Sequence, residues 1–154
     1  MQCKEKLESY LREHGVPFTE QEHRKVFTAQ QVAAEEHVSG RQFAKVVVVL
    51  ADGKPAMMVV PAAKWLRLNL AADALHAEEV RLATEGEFAP LFPDCEVGAM
   101  PPFGNLYDLP VYVDETLAGN EEIVIQAGTH RDTMRLRYAD YARLAHPVAV
   151  PLTS

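Results

Sequence analysis

The sequence predicts an α+β domain, and three observations carry that prediction. Runs of β-formers recur at 44–50, 56–60, 111–113, 122–126 and 133–137. Stretches with helical apolar spacing and helix caps lie among them. The order is not a regular βαβ alternation, and no glycine-rich phosphate loop follows the first strand. Roughly six or seven strands with four or five helices are expected.

Leu7 and Leu11, four apart in a polar segment, mark a first amphipathic helix that Gly15 ends. Val16, Pro17, Phe18 and Thr19 are extended, because a residue before proline avoids the α region. Thr28 and Gln31 form a capping box that opens a second helix to about His37, with Val32 and Ala33 inward. Residues 44–50 and 56–60 then read as a hairpin turning at Asp52-Gly53. The unbroken valine run implies burial on both faces, so this hairpin should be central. A helix should start at Pro61 and contain Trp65, Leu66 and Leu68, with a further short one at 73–76.

Residues 79–83 read as a strand, followed by a helix capped by Thr84 with Glu87 at its third position and stopped near Pro90 to Pro93. The strands at 111–113, 122–126 and 133–137 follow, the last with Met134 and Leu136 inward and its arginines outward. A helix over 138–144 closes the domain before Pro147. No repeat, linker or low-complexity tract divides the chain, so residues 1–154 are expected to form one domain.

The stretch Gly98-Ala99-Met100-Pro101-Pro102-Phe103-Gly104 is the most distinctive in the chain. Its two prolines fix φ and remove two backbone donors, while a glycine at each end permits a sharp turn. It is either a rigid surface turn or a pocket wall built of stiffly held backbone groups. Lys45 heads the buried valine run, where an unpaired ammonium is costly. It either snorkels out at the strand end or aims into a pocket to meet an anion. His130 follows Ala127-Gly128-Thr129 in the turn between two strands, where it is either a surface residue or a group that orients a substrate oxygen.

Other chemistries find little support. The histidines show no convergent spacing and no Cys/His cluster exists, so no metal is expected. Cys3 and Cys95 are too few for a disulfide framework, and a reducing, cytoplasmic setting is the natural expectation. Cys95 has no evident base and reads as a small hydrophobe. No G-x-S-x-G elbow is present. The net charge of −7 opposes nonspecific nucleic-acid coating, though not the capture of one RNA end by a local basic patch. The N-terminus lacks the apolar stretch of a signal peptide, and no run is long enough to cross a bilayer.

Three segments together resemble the YbaK/prolyl-tRNA synthetase-associated domain family of aminoacyl-tRNA deacylases. They are Ala44-Lys45-Val46, then Val97 through Gly104, then Ile125-Gln126-Ala127-Gly128 leading to the helix with Asp140-Tyr141. The resemblance runs from about Leu7 to Pro147. It implies a mixed, largely antiparallel barrel-like β-sheet surrounded by helices, acting without metal or organic cofactor. The implied reaction is hydrolysis of the ester between a mischarged small amino acid and the 3′-terminal adenosine of tRNA. Lys45 would hold the CCA end, Gly98 and His130 would serve the reacting centre, and Ala99, Met100, Pro101, Pro102, Phe103, Gly104, Gly128 and Thr129 would bind substrate. A mischarged tRNA is the implied partner, with an aminoacyl-tRNA synthetase as a second; no membrane or DNA partner is expected. A binding module of the same fold without hydrolysis is the alternative, and a hydrolase for another small acyl ester a third. The residue after Lys45 is valine where some members carry a polar side chain, so the amino acid edited stays open.

Overall fold

A computed structural model of the chain describes residues 2–22, 31 and 39–154. Apart from Gln31, which is helical, the helix expected from Thr28 to His37 falls outside the described residues. Helix α1 (Cys3–Glu13) buries Cys3, Leu7 and Leu11, and Gly15 turns the chain at φ +66°. Strand β1 (Phe18–Glu22) follows. Strands β2 (Ala44–Ala51) and β3 (Lys54–Pro61) form the hairpin, turning through Asp52 and Gly53 at φ +49° and +84°. Paired positive φ values are what a tight two-residue hairpin demands.

The remaining elements are α2 (Leu68–Leu75), β4 (Val80–Leu82) and the short α3 (Glu85–Phe88) with its 3₁₀ extension Ala89–Leu91. A second 3₁₀ turn, Gly104–Tyr107, precedes β5 (Val111–Asp114) and the short α4 (Glu115–Ala118). The chain ends with β6 (Glu122–Gln126), β7 (Asp132–Arg137), α5 (Tyr138–Ala145) and β8 (Val148–Val150).

These strands make two sheets, one in the order β1-β7-β6 and one in the order β4-β2-β3-β5-β8. The pairs β3–β5 and β5–β8 are parallel and the others antiparallel. The α+β class and central hairpin therefore hold, with eight strands among the described residues. The sheets do not close into a barrel. They touch through a parallel bridge between Phe43 and Val124.

The valine run is covered on both sides. Ala44, Val48, Met57 and Val59 join the main core with Met100, Phe103, Ile123, Ile125, Met134 and Leu136. Val49, Met58 and Val60 form a second core with Ala71 and Leu152.

Two expectations need correction. Pro61 ends β3 instead of opening a helix, and the helix begins at Leu68 and runs on through the segment expected to be separate. Residues between are held by the C-terminal tail: Leu66 bridges Thr153, and the Arg67 amide donates to Leu152 O at 2.8 Å. Cys3 and Cys95, expected to be free, are disulfide-bonded, their Cα atoms 4.9 Å apart. Docking α1 against the loop after α3 brings together cysteines separated by 92 residues, a proximity that local spacing does not reveal.

No helix among the described residues is long and apolar enough to cross a membrane.

Candidate functional site

The joint between the sheets positions the candidate site. Val124 N donates to Gln42 O, and the Phe43–Val124 bridge sets β2 and β6 side by side in parallel. Residues opposite one another in such a pair share a face, and faces alternate along each strand. Two residues past the bridge, Lys45 and Gln126 therefore lie on the same side, away from Ile123 and Ile125 in the main core.

Lys45 is half-buried. Its Nζ donates to Lys64 O at 3.3 Å and stands 4.7 Å over the Trp65 ring. Burial lowers its pKa from the ordinary lysine value of 10.5. Of the two destinies open to it, it takes an intermediate one: the stem is covered, and the ammonium meets a carbonyl and a ring. Gln126 is only 5% exposed, and its Nε2 has no hydrogen-bond partner among the described residues. Buried amides are seldom left so, because the unmade bond costs about 1–3 kcal/mol.

Just beyond Gln126, the turn into β7 is stitched to the glycine-proline loop. Glu96 N donates to Gly128 O at 2.8 Å, and Gly128 N donates to Ala99 O at 2.9 Å. His130 N donates to the Glu96 carboxylate at 3.0 Å. His130 Nε2 lies 2.6 Å from Val97 O. A carbonyl only accepts, so Nε2 carries the proton and the ring fastens the loop. Gly98 sits against this ring at φ +84°; a Cβ there would stand 3.4 Å from His130 Cε1. Gly128 has φ +93°, and a Cβ there would meet Cys3 Sγ at 2.6 Å, so only glycine fits between the loop and the disulfide.

The loop divides into two parts. Val97 and Gly98 are exposed, whereas residues 99–104 are buried. Met100 and Phe103 anchor in the main core. Pro102 O accepts from the buried Tyr141 hydroxyl at 2.9 Å, and Phe103 packs edge-on against the Tyr141 ring. Gly104 lets the chain pass Val111 and Leu109, since a Cβ there would meet Val111 Cγ2 at 2.7 Å. Thr129 turns its hydroxyl to Asp132 Oδ2 at 2.6 Å and accepts from the Arg131 and Asp132 amides. Glu96, Val97, Ala99, Gly128 and His130 thus form one hydrogen-bonded unit, with Gly98 packed against its imidazole ring. Lys45 stands apart from it, on the strand beside Gln126.

Sequence reasoning missed Gln126 and Glu96 as contributors here. A polar residue closing the Ile123-Val124-Ile125 run was a visible signal for Gln126; nothing local marked Glu96. Among the described residues, Cys3, Asp94 and Cys95 bring possible metal-ligating atoms together. Both sulfurs are bonded to each other, so neither is available as a thiolate ligand.

These features define an α+β domain whose two sheets meet at the Phe43–Val124 bridge, with Lys45 and Gln126 on one side of that joint. The sequence model of the aminoacyl-tRNA editing domain matches residues 23–144. The chain belongs to this family, the YbaK family of aminoacyl-tRNA editing domains. No curated protein matches the sequence. Among solved structures, a proposed trans-editing enzyme for prolyl tRNA synthetase superposes with TM-score 0.85 at 22% identity, covering 100% of this chain and 98% of that one. A hypothetical protein superposes with TM-score 0.87 at 21% identity, covering 97% and 99%. A scaffold used for computational grafting of linear epitopes gives 0.83 at 21%, covering 100% and 98%. At these identities the likeness is one of fold.

Proposed function

We propose that the chain is a free-standing aminoacyl-tRNA deacylase that hydrolyses the ester joining a mischarged small amino acid to the 3′-terminal adenosine of tRNA. The observation that carries this reading is Lys45, a half-buried ammonium whose resolved contacts are a carbonyl and a ring, on the same side of its strand pair as the buried amide of Gln126. Among the described residues neither an anion for Lys45 nor a partner for the Gln126 amide is present; an RNA phosphate would supply the first and hydrogen bonding to substrate the second.

Hydrolysis requires water to attack the ester carbonyl while negative charge develops on its oxygen. Backbone groups around Gly98, held rigid by the His130–Val97 bond, position that water and the acyl group. The adenosine 2′-hydroxyl assists proton transfer to the departing 3′-oxygen. His130 is a positioning residue, because its Nε2 proton is engaged by Val97 O. An acyl group held against the backbone around Gly98 leaves room for small side chains only, so larger ones are excluded by contact. Such an enzyme acts where charged tRNA circulates, in the cytoplasm, alone or beside a synthetase.

The engaged Nε2 of His130 also favours a second reading, a module that binds charged tRNA without cleaving it. A panel of purified mischarged tRNAs, with wild type and Lys45→Ala, separates the two. Hydrolysis of at least one tRNA, strongly reduced in Lys45→Ala, supports the deacylase. No hydrolysis of any tRNA by the folded protein supports the module.

A further inference from the structure

Trp65 is 74% exposed, on a turn that the fold holds firmly. Lys64 N donates to Pro61 O and Ala63 N to Gly40 O on one side of it; Arg67 N donates to Leu152 O on the other. Its neighbour Leu66 packs into the second core, but the Trp65 ring does not. A large aromatic presented to water on a rigid turn contributes little to folding, and such rings commonly serve recognition.

The surroundings indicate what it recognises. Lys45 Nζ is 4.7 Å over the ring, and Lys64 is adjacent in the chain. Beside them opens a cleft of about 440 Å³ lined by Arg41, Pro61, Lys64, Thr116, Gly119 and Asn120. Among the described residues that lining has two cations, a hydroxyl and an amide, and no carboxylate, on a chain with net charge −7. Asn120 is fixed by its bond to Arg41 O at 3.0 Å. An exposed ring flanked by cations beside a cleft is the combination that holds unpaired nucleotides, with bases on the ring and phosphates on the cations.

We infer that Trp65 is a stacking platform for an unpaired base of the RNA 3′ end, with Arg41, Lys45 and Lys64 bracketing the adjoining phosphates. The inference rests on the proposed deacylase for its choice of RNA, and it extends the site from Lys45 to a recognition surface apart from the loop at Gly98.

Trp65 is the single tryptophan of the chain, so intrinsic emission reports on it directly. The test titrates full-length protein with the RNA trinucleotide CCA and with an abasic trinucleotide of equal charge, following emission and the anisotropy of labelled RNA. CCA is expected to quench Trp65 and the abasic chain to leave it bright. Trp65→Ala should weaken CCA binding about tenfold, and Trp65→Phe should restore most of it. Bound CCA without quenching, equal quenching by the abasic chain, or undiminished affinity in Trp65→Ala would overturn the platform. Steady-state deacylation separates this from the parent proposal. Hydrolysis with Trp65→Ala unaltered in KM refutes the platform alone; base-dependent quenching without hydrolysis of any mischarged tRNA refutes the deacylase alone.

Discussion

Gln126 keeps a buried amide nitrogen with no partner among the described residues, and that makes it the residue whose stability and function should part company. Gln126→Leu removes the unpaired group at similar volume, so it should leave stability unchanged or raise it by about 1 kcal/mol. It should also lower deacylation. Urea unfolding and a single-turnover assay on one sample check both. A variant that is both less stable and fully active contradicts the role given to the amide.

Lys45 has a pH signature. Burial holds its pKa below 10.5, so its ammonium is lost at lower pH than that of an ordinary lysine. Any rate that needs this charge is complete below the lowered pKa and falls as pH rises through it. The same group opposes folding while it is charged, so its cost is fully present at low pH and relieved between the folded value and 10.5. A pH–rate profile for wild type, corrected for spontaneous ester loss, should show an alkaline fall that Lys45→Ala lacks.

Gly128 joins both themes. Alanine there is strained by its positive φ and collides with Cys3 Sγ, costing about 2 kcal/mol or more.

Among the elements, short helix α3 shows how much of the fold was legible locally. Thr84 and Glu87 were readable as a capping box, and the Thr84 amide does donate to Glu87 Oε1 at 2.9 Å. Arg81 on β4 adds a two-pronged bond to the same carboxylate at 2.7 and 2.8 Å. The Arg81 bonds first, and the cap second, lower the Glu87 pKa from 4.5 to about 2. A depressed carboxylate contributes stability above its unfolded pKa and loses it as pH falls toward the folded value. Glu87→Gln should therefore flatten acid unfolding between about pH 4.5 and 2, read by circular dichroism.

The hairpin at Asp52-Gly53 and the inward Met134 and Leu136 were equally legible, because each depends on near neighbours. The start of α2 was not. Trp65, Leu66 and Leu68 have plausible helical spacing, but Leu66 and Arg67 pair with a tail some 85 residues later. That tail is itself pinned by buried Asp114, whose carboxylate accepts from Leu152 N at 2.8 Å and Thr153 N at 3.0 Å. Desolvation works against this charge, yet the bonds from Thr116, Leu152 and Thr153 outweigh it and leave the pKa lowered. The candidate site was legible in part. Residues 97–104 and 127–130 were marked as segments, but the inward role of Met100 and Phe103 emerges only once the core assembles.

At the scale of the whole molecule, the Cys3–Cys95 bond ties the first helix to the segment entering the site. A link closing so long a loop is worth about 2–4 kcal/mol. Dithiothreitol should lower the denaturant midpoint of wild type and leave that of Cys3→Ser unchanged. On the proposed reading, the acidic balance of the chain would confine RNA contact to local cations, so few counterions would be released and binding should depend only modestly on salt.

Two sheets meeting at Phe43 and Val124 are the framework on which the account depends, since that joint sets Lys45 beside the segment leading to Gly128 and His130. The most direct test is deacylation of purified mischarged tRNAs by wild type and Lys45→Ala, with folding of both verified by circular dichroism. The account predicts turnover of at least one small aminoacyl-tRNA and a loss of tenfold or more in Lys45→Ala. Equal turnover by the two proteins, or none by a well-folded wild type, would contradict it.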